Sequence, residues 1–527
     1  FNFPCWGMLE KLAPTLLAGV PAIVKPASST AYLTELMVRR IIDSGILPAG
    51  SLQLICGGVG DLFDHLTCQD TIAFTGSKAT AEKLQAHPRV VSESVAFTAE
   101  TDSLNMSILG PDATPGTPEF DLYIKEVVNE MTSKAGQKCT AIRRIIAPAA
   151  IAGDVTAALS QALGEVRIGN PALKEVGMGA LASQGQRDEV RELVGDLAAE
   201  AELVYGGSDD FEVVDADAGK GAFFMPTLLH CEKPLSATAV HSVEAFGPVS
   251  TVLPYDTLDE AVELARLGAG SLAGSIITND NDVARELVLG TAAYHGRMVI
   301  INRHCAAEST GHGSPLAHLV HGGPGRAGGG EEMGGVRGIK HYMQRTALQG
   351  SPETLSHIGH RWIRGADQQD PGVHPFRKTF EQLEIGDTFN SEPRKVTLED
   401  IEHFAEFTGD NFYAHMVEED AKKNPFFEGR VAHGYLIVSF AAGLFVDPDF
   451  GPVLANYGVD DLRFLQPVNH GDSLKVRLTC KQKTLRGDTG YGEVRWDAEV
   501  TNQDDEICAQ YDVLTMVATD AHWESVS

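Results

Sequence analysis

Short apolar runs, each followed by a turn and then a helical stretch, recur along the first two thirds of the chain. Residues 15–25 end in an apolar run of strand length, followed by Pro26 and the string Ala27-Ser28-Ser29-Thr30, residue types that start helices. The pattern returns at 51–58, ahead of Gly57-Gly58, and at 71–77, which ends in Thr75-Gly76-Ser77. Strand–turn–helix units in series predict a parallel α/β sheet, and the alternation continues to about residue 320.

The pattern then breaks. Residues 321–338 are glycine-rich, and residues 351–375 mix Pro, His, Arg and Gln without a helical or strand period, the composition of an ordered linker. From Phe376 onward a helical stretch at 397–407 and a long apolar helix at 434–446 are expected. Alternating segments follow at 461–468, 473–483, 490–501 and 506–517, the period of an antiparallel sheet. The predicted organisation is a cofactor-binding part at 1–102, a catalytic part at 103–345, a linker at 346–375 and an α+β domain at 376–527.

Length and charge narrow the function. A chain of 527 residues exceeds what one core usually supports. It starts at Phe1 inside an apolar segment, so it reads as part of a longer polypeptide. No apolar run is long enough to suggest a membrane span. A net charge of −30 argues against nucleic acid as a partner. The eight cysteines (5, 56, 68, 139, 231, 305, 480 and 508) show no Cys-x-x-Cys pair and no zinc spacing. No metal is expected, and reduced thiols point to the cytoplasm.

Two sets of residues carry chemistry. Gly136-Gln137-Lys138-Cys139 offers a thiol, Glu100 lies 39 positions upstream, and Asn2-Phe3-Pro4 offers an amide. Oxidising an aldehyde by hydride transfer needs a nucleophile that adds to the carbonyl, a donor for the oxyanion and a carboxylate that activates water. Cys139, Asn2 and Glu100 have the types for those roles. In order along the chain, Lys25-Pro26-Ala27, Phe74-Thr75-Gly76-Ser77, the Cys139 motif, Phe224-Met225-Pro226-Thr227, Glu244-Ala245-Phe246-Gly247-Pro248 and Asn302 resemble the aldehyde dehydrogenase superfamily from residue 2 to about 345. The resemblance implies that Cys139 attacks the aldehyde, Glu100 activates the hydrolytic water, and the Asn2 amide with the Cys139 N–H forms the oxyanion hole. It also implies that Lys25, Ser28, Gly76, Ser77, Glu244 and Phe246 bind the nicotinamide cofactor. Three departures stand out. Glu100 sits in Ala-Glu-Thr-Asp-Ser rather than the family's Leu-Glu-Leu-Gly-Gly, an insertion is expected at 112–119, and the family's N-terminal strands and oligomerisation hairpin are missing from this chain. Ser28 stands where NAD-preferring members often carry Glu. Removing a carboxylate that would repel a 2′-phosphate, with Lys25 nearby, favours NADP.

The second set is Thr408-Gly409-Asp410 with His415, followed by Ala432-His433-Gly434 at the start of the apolar helix. Adding water to an unsaturated thioester needs a base, an acid and a donor that polarises the carbonyl. Asp410 and His415 suit proton transfer, and a glycine at a helix start lets a thioester oxygen approach backbone N–H groups. Residues 376–520 resemble the MaoC-like, R-specific enoyl-CoA hydratases, which implies a hot-dog fold with Gly434 as oxyanion donor and His433 as a structural or lining residue. Phe412 and Tyr413 replace the Asn-Pro of that family's motif, changing the wall beside the pair. A CoA-thioester substrate needs a local basic patch. Lys422, Lys423 and Arg430 are the candidates, with Arg463 and Lys475 as second choices.

The two halves in this order resemble fused ring-opening enzymes of phenylacetate degradation. In those, a hydratase-like domain opens oxepin-CoA and an NADP-dependent dehydrogenase domain oxidises the aldehyde released. That resemblance implies a homo-oligomeric enzyme. Two other readings remain: a fused dehydrogenase–hydratase acting on another CoA-linked semialdehyde, and a non-catalytic module whose hot-dog domain serves assembly.

Overall fold

The structure is a computed structural model, and it describes residues 1–314, 316, 318–319, 322–330, 335–487 and 489–527. Two compact units are present, Phe1–Arg345 and Thr346–Ser527. Of the glycine-rich stretch 321–338, residues 321 and 331–334 lie outside the described residues.

The first unit is α/β. Its seven-stranded sheet runs in the order His295–Ile301, Ser271–Ile277, Met106–Leu109, Arg144–Pro148, Val249–Tyr255, Thr227–His230, Glu202–Tyr205. All neighbours are parallel except the edge strand Glu202–Tyr205. Strands covered on both faces must be apolar throughout, and Ser271–Ile277 is buried at every position. The first hundred residues form two further parallel pairs, Ala22–Val24 with Leu52–Leu54 and Thr71–Thr75 with Ala96–Glu100. The strand expected before Pro26 forms, yet it is not fully buried: Ile23 is 49% exposed.

The second unit is α+β. An antiparallel sheet in the order Thr388–Asn390, Ser473–Leu485, Tyr491–Thr501, Ile507–Ala518, Val453–Phe464 packs with the apolar helix Gly434–Phe445 around one core. Leu436, Ile437, Phe440 and Ala441 come from the helix, and Leu478, Trp496, Ala498 and Val513 from the strands. The helix Leu398–Thr408 starts with a capping box in which Thr397 and Asp400 exchange side-chain and backbone bonds.

Residues 351–375 are more structured than their composition predicts. Ser351 caps a helix, Pro352–Gly359, that has proline in its first turn. The segment is fastened to the second unit's sheet by Trp362 N–H on the Lys481 carbonyl (2.8 Å), Arg364 on Asp497 (2.8 Å) and Gln368 on Thr479 (2.9 Å). Trp362 is buried there.

Candidate active sites

In the first unit the helix Pro118–Thr132 delivers the chain to Cys139 through a left-handed turn. Lys134, Ala135 and Gly136 have φ of 53°, 53° and 66°. A Cβ on Gly136 would lie 2.3 Å from the Gly247 carbonyl oxygen, so only glycine fits where these two loops cross. Arg143 is buried at that crossing. It donates to the carbonyls of Gly247 (2.5 Å), Gly136 (2.8 Å) and Lys138 (3.4 Å). Asn105 holds the other side, its amide donating to the carbonyls of Cys139 (2.8 Å) and Ala141 (3.0 Å). The Asn2 amide donates to the Gln137 carbonyl at 2.6 Å, which brings Asn2 against the Cys139 loop.

Glu100 is buried at the carboxyl end of its strand, where its carbonyl takes the Gly76 N–H at 3.1 Å. Gly76 and Ser77 follow the neighbouring strand's carboxyl end, and Ser77 caps the helix Lys78–Gln85. Ligands of parallel α/β sheets bind at such ends. Lys25 follows another, and Ser28 is exposed, opening a short turn. Ser28 does not cap the helix Ala31–Asp43, whose N-cap is Thr30, so its hydroxyl is available.

Glu244 is the most perturbed acid of this region. Its Oε2 accepts the Ser103 N–H (3.0 Å), its Oε1 stands 3.8 Å from Arg143 Nε, and that Oε1 has no hydrogen-bond partner. Burial pushes its pKa up to about 7, against the pull of Arg143. A buried carboxylate oxygen without a donor fits the hydroxyls of a nicotinamide ribose. Phe246 stands beside it, edge-on to Phe1 at 5.8 Å, with the Arg143 guanidinium carbon 5.4 Å from its ring centroid. These groups fit a nicotinamide cofactor.

In the second unit Asp410 and His415 come together with His433, their ligand-type atoms all within 4.8 Å of one another. His415 Nδ1 lies 2.7 Å from the Val431 carbonyl. A carbonyl only accepts, so Nδ1 carries the proton and Nε2 keeps its lone pair. Burial is the first cause that lowers the His415 pKa, favouring neutral imidazole. His433 is itself buried; its ring stacks on His415 at 3.8 Å and its Nε2 donates to the Asp410 carbonyl at 2.9 Å. One imidazole thus orients both members of the pair. The Phe412 and Tyr413 rings meet tilted, with centroids 4.5 Å apart, and Phe412 stands 5.9 Å from His415. Gly434 opens the apolar helix, and a Cβ there would meet the Phe464 ring at 2.6 Å.

The expected basic patch is not a free one. Lys422 pairs with Glu418 (2.9 Å) and Lys423 with Asp420 (2.6 Å), each satisfied within its own turn. Arg430 is turned inward: it donates to the His415 carbonyl (2.6 Å) and pairs with Glu402 (3.0 Å). Lys475 pairs with Asp505 at 3.4 Å. Arg463 contacts only the carbonyl of Leu462 among the described residues. Arg143 escaped the sequence, while Asn105, visible there beside Glu100, and Arg430, visible as a CoA-phosphate candidate, were not legible as residues that hold the two sites together. The one signal for Arg143 is a cation within a few residues of Cys139; the others join positions far apart in the chain.

Residues 1–348 match the aldehyde dehydrogenase family, and residues 380–502 match the MaoC like domain. The chain is 53% identical over 310 residues to protein MaoC of Klebsiella aerogenes, covering 59% of this chain and 90% of that protein. It is 50% identical over 324 residues to the 3,4-dehydroadipyl-CoA semialdehyde dehydrogenase of Aromatoleum evansii, covering 62% of this chain and 63% of that protein. Among solved structures, an aldehyde dehydrogenase C mutant of Pseudomonas syringae, bound to NAD+ and octanal, superimposes with a TM-score of 0.56 at 25% identity. The overlap covers 66% of this chain and 67% of that one. Betaine aldehyde dehydrogenase of Staphylococcus aureus with NAD+ gives 0.55 at 25% identity, covering 65% and 63%. The chain therefore spans about two thirds of these structures and of the second relative. No helix among the described residues is long and apolar enough to cross a membrane. With its parallel sheet, its Cys139 loop and these matches, the chain belongs to the aldehyde dehydrogenase family and carries a MaoC-like hot-dog domain after it.

Proposed function

We propose that the chain is a two-step enzyme of aerobic phenylacetate degradation. Its second unit opens the ring of oxepin-CoA by adding water. Its first unit oxidises the resulting 3-oxo-5,6-dehydrosuberyl-CoA semialdehyde to the acid with NADP. The observation that carries this reading is the presence of both residue sets on one chain, with Asn2 and Asn105 bonded to the Cys139 loop in one unit and Asp410, His415 and His433 close together in the other. The printed name of the Aromatoleum evansii relative, a CoA-linked semialdehyde dehydrogenase, supports the substrate class.

In the second unit Asp410 takes a proton from water as the water oxygen bonds to the β-carbon and then returns that proton to the α-carbon, while His415, neutral with its Nε2 lone pair available, orients the water. Backbone N–H groups at the start of the Gly434 helix polarise the thioester carbonyl. Water added to a cyclic enol ether gives a hemiacetal, which opens to an aldehyde. In the first unit the Cys139 sulfur adds to that aldehyde, with the Asn2 amide and the Cys139 N–H holding the oxyanion. A nicotinamide held by Glu244 and Phe246 would supply the hydride acceptor. Glu100 then activates the water that releases the acid from the Cys139 thioester. The buried Glu244 holds the ribose hydroxyls. Ser28, with its hydroxyl uncommitted, tolerates a 2′-phosphate, which favours NADP. CoA phosphates are met by Arg463, the cation left unpaired among the candidates.

The test follows NADPH formation and loss of enoyl-CoA absorbance separately on oxepin-CoA. Both signals, with the dicarboxylic CoA thioester as product, support the reading. NADPH formation from an added CoA-linked semialdehyde, with oxepin-CoA untouched, transfers the enzyme to another substrate of the same class.

A further inference from the structure

The left-handed turn ahead of Cys139 contains a residue whose side chain has no structural reason to be charged. Lys134 and Ala135 both carry a Cβ, and both adopt φ of 53° with ψ of 34° and 38°. Such positions usually go to glycine or asparagine. A residue with a long side chain held in this conformation beside a reacting group marks a functional demand on that side chain. The Lys134 ammonium sits 3.1 Å from the centroid of the Phe3 ring. Among the described residues no carboxylate pairs with it. Phe3 is the neighbour of Asn2, whose amide is bonded to the Gln137 carbonyl on the same loop. One cation therefore ties the segment bearing the oxyanion donor to the loop bearing the thiol.

We propose that Lys134 is a positioning residue of aldehyde oxidation. Seated on Phe3, its ammonium holds the Asn2 amide against the Cys139 loop and adds to the positive charge that favours the Cys139 thiolate. The inference rests on Cys139 being the nucleophile. The other cations around the thiol are fixed by bonds elsewhere. Arg143 donates to the carbonyls of Gly136, Lys138 and Gly247 and Arg297 to the His312 carbonyl, bonds that hold them in place and leave their charge; Lys138 pairs with Glu130 at 2.8 Å. Glu100 is buried, and Glu244 faces Arg143. Burial lowers the Lys134 pKa first, the neighbouring Lys138 lowers it further, and the charge of Cys139 draws it back up. That mutual attraction is what a thiolate–ammonium pair gives.

The experiment compares Lys134→Met, Lys134→Arg and Lys134→Gly in the full chain. It reads the pH dependence of Cys139 alkylation by iodoacetamide, quantified on the Cys139 peptide by mass spectrometry, together with kcat and KM for an added aldehyde. In Lys134→Met the alkylation midpoint moves to higher pH. Its rate at neutral pH falls about tenfold for each pH unit of that move, and kcat falls with it while the cofactor KM holds. Lys134→Arg, which keeps the charge and the ring contact, restores most of both. Lys134→Gly, which relieves the left-handed backbone, loses activity like Lys134→Met without losing thermal stability. A Lys134→Met protein that alkylates Cys139 with the parent's midpoint overturns the inference, whatever its kcat. Undiminished aldehyde oxidation by Cys139→Ser overturns the nucleophile reading itself.

Discussion

Replacing Arg143 by Met keeps an unbranched side chain of similar length and removes the buried guanidinium. Three carbonyls, of Gly136, Lys138 and Gly247, then lose their donor, and Glu244 loses the one cation that stands within 3.8 Å of it. Leaving these carbonyls without their donor and the nearby carboxylate without its cation costs about 3–5 kcal/mol. The first unit spans residues 1–345. At about 2.1 cal/mol/K per residue, its unfolding entropy is on the order of 0.7 kcal/mol/K, which turns that cost into a fall in Tm of about 4–7 °C. Calorimetry isolates the effect, because the second unit carries its own core and its transition should not move. The Cys139 loop also loses its tether, and a displacement of about 1 Å at a reacting group costs on the order of 100-fold in rate. Aldehyde oxidation should fall accordingly while hydration of an enoyl-CoA is kept. A Tm within 1 °C of the parent's, together with parental kcat, would refute the claim that Arg143 locks the two loops.

Further outcomes follow from the same geometry. Glu244 has a pKa raised from 4.5 to about 7, so between those values the folded state binds more protons than the unfolded one and the first unit loses stability as pH rises. Glu244→Gln should therefore gain Tm at pH 8 and little at pH 5, by about 3 kcal/mol at most; equal shifts at both pH values refute the burial argument. Ser28→Glu should lower kcat/KM for NADP relative to NAD by charge repulsion with the 2′-phosphate, and an unchanged ratio would mean that Ser28 does not face the ribose. Neutralising Lys422 and Lys423 should leave the KM for CoA thioesters unchanged, since each is already paired. Arg463→Ala should raise that KM, more so at low salt, and Arg430→Ala should lower hydratase kcat by freeing the His415 carbonyl.

Local chemistry was readable where it acts over a few residues. Thr397 and Asp400 announce the start of the helix Leu398–Thr408, and Ser77 caps the helix after Thr75-Gly76 as its position suggests. The strand Val453–Phe464 was half missed, because register shifts near Val453, Asn456 and Asp460 break the two-residue period that marks a strand. The helix Pro352–Gly359 hid in a segment whose composition resembles a linker, since what orders it are contacts with Lys481, Thr479 and Asp497 more than a hundred positions away. How the cations of the basic patch are paired was only partly legible. The Glu418–Lys422 and Asp420–Lys423 pairs lie at helical spacing in the sequence, whereas the Glu402–Arg430 pair joins positions that only the fold brings together. Motif residues were named by their own types, while the residues that aim them, Arg143, Asn105 and His433, act through backbone carbonyls that no spacing rule displays.

The central claim is that two independent chemistries reside in two separate units of one chain. The most direct measurement assays both activities on two variants, Cys139→Ala and Asp410→Asn, each shown to be folded by its thermal transitions. The account predicts that Cys139→Ala loses aldehyde oxidation and keeps water addition. It predicts that Asp410→Asn loses water addition and still oxidises an added aldehyde. Loss of both activities in either folded variant, or parental water addition by Asp410→Asn, would contradict it.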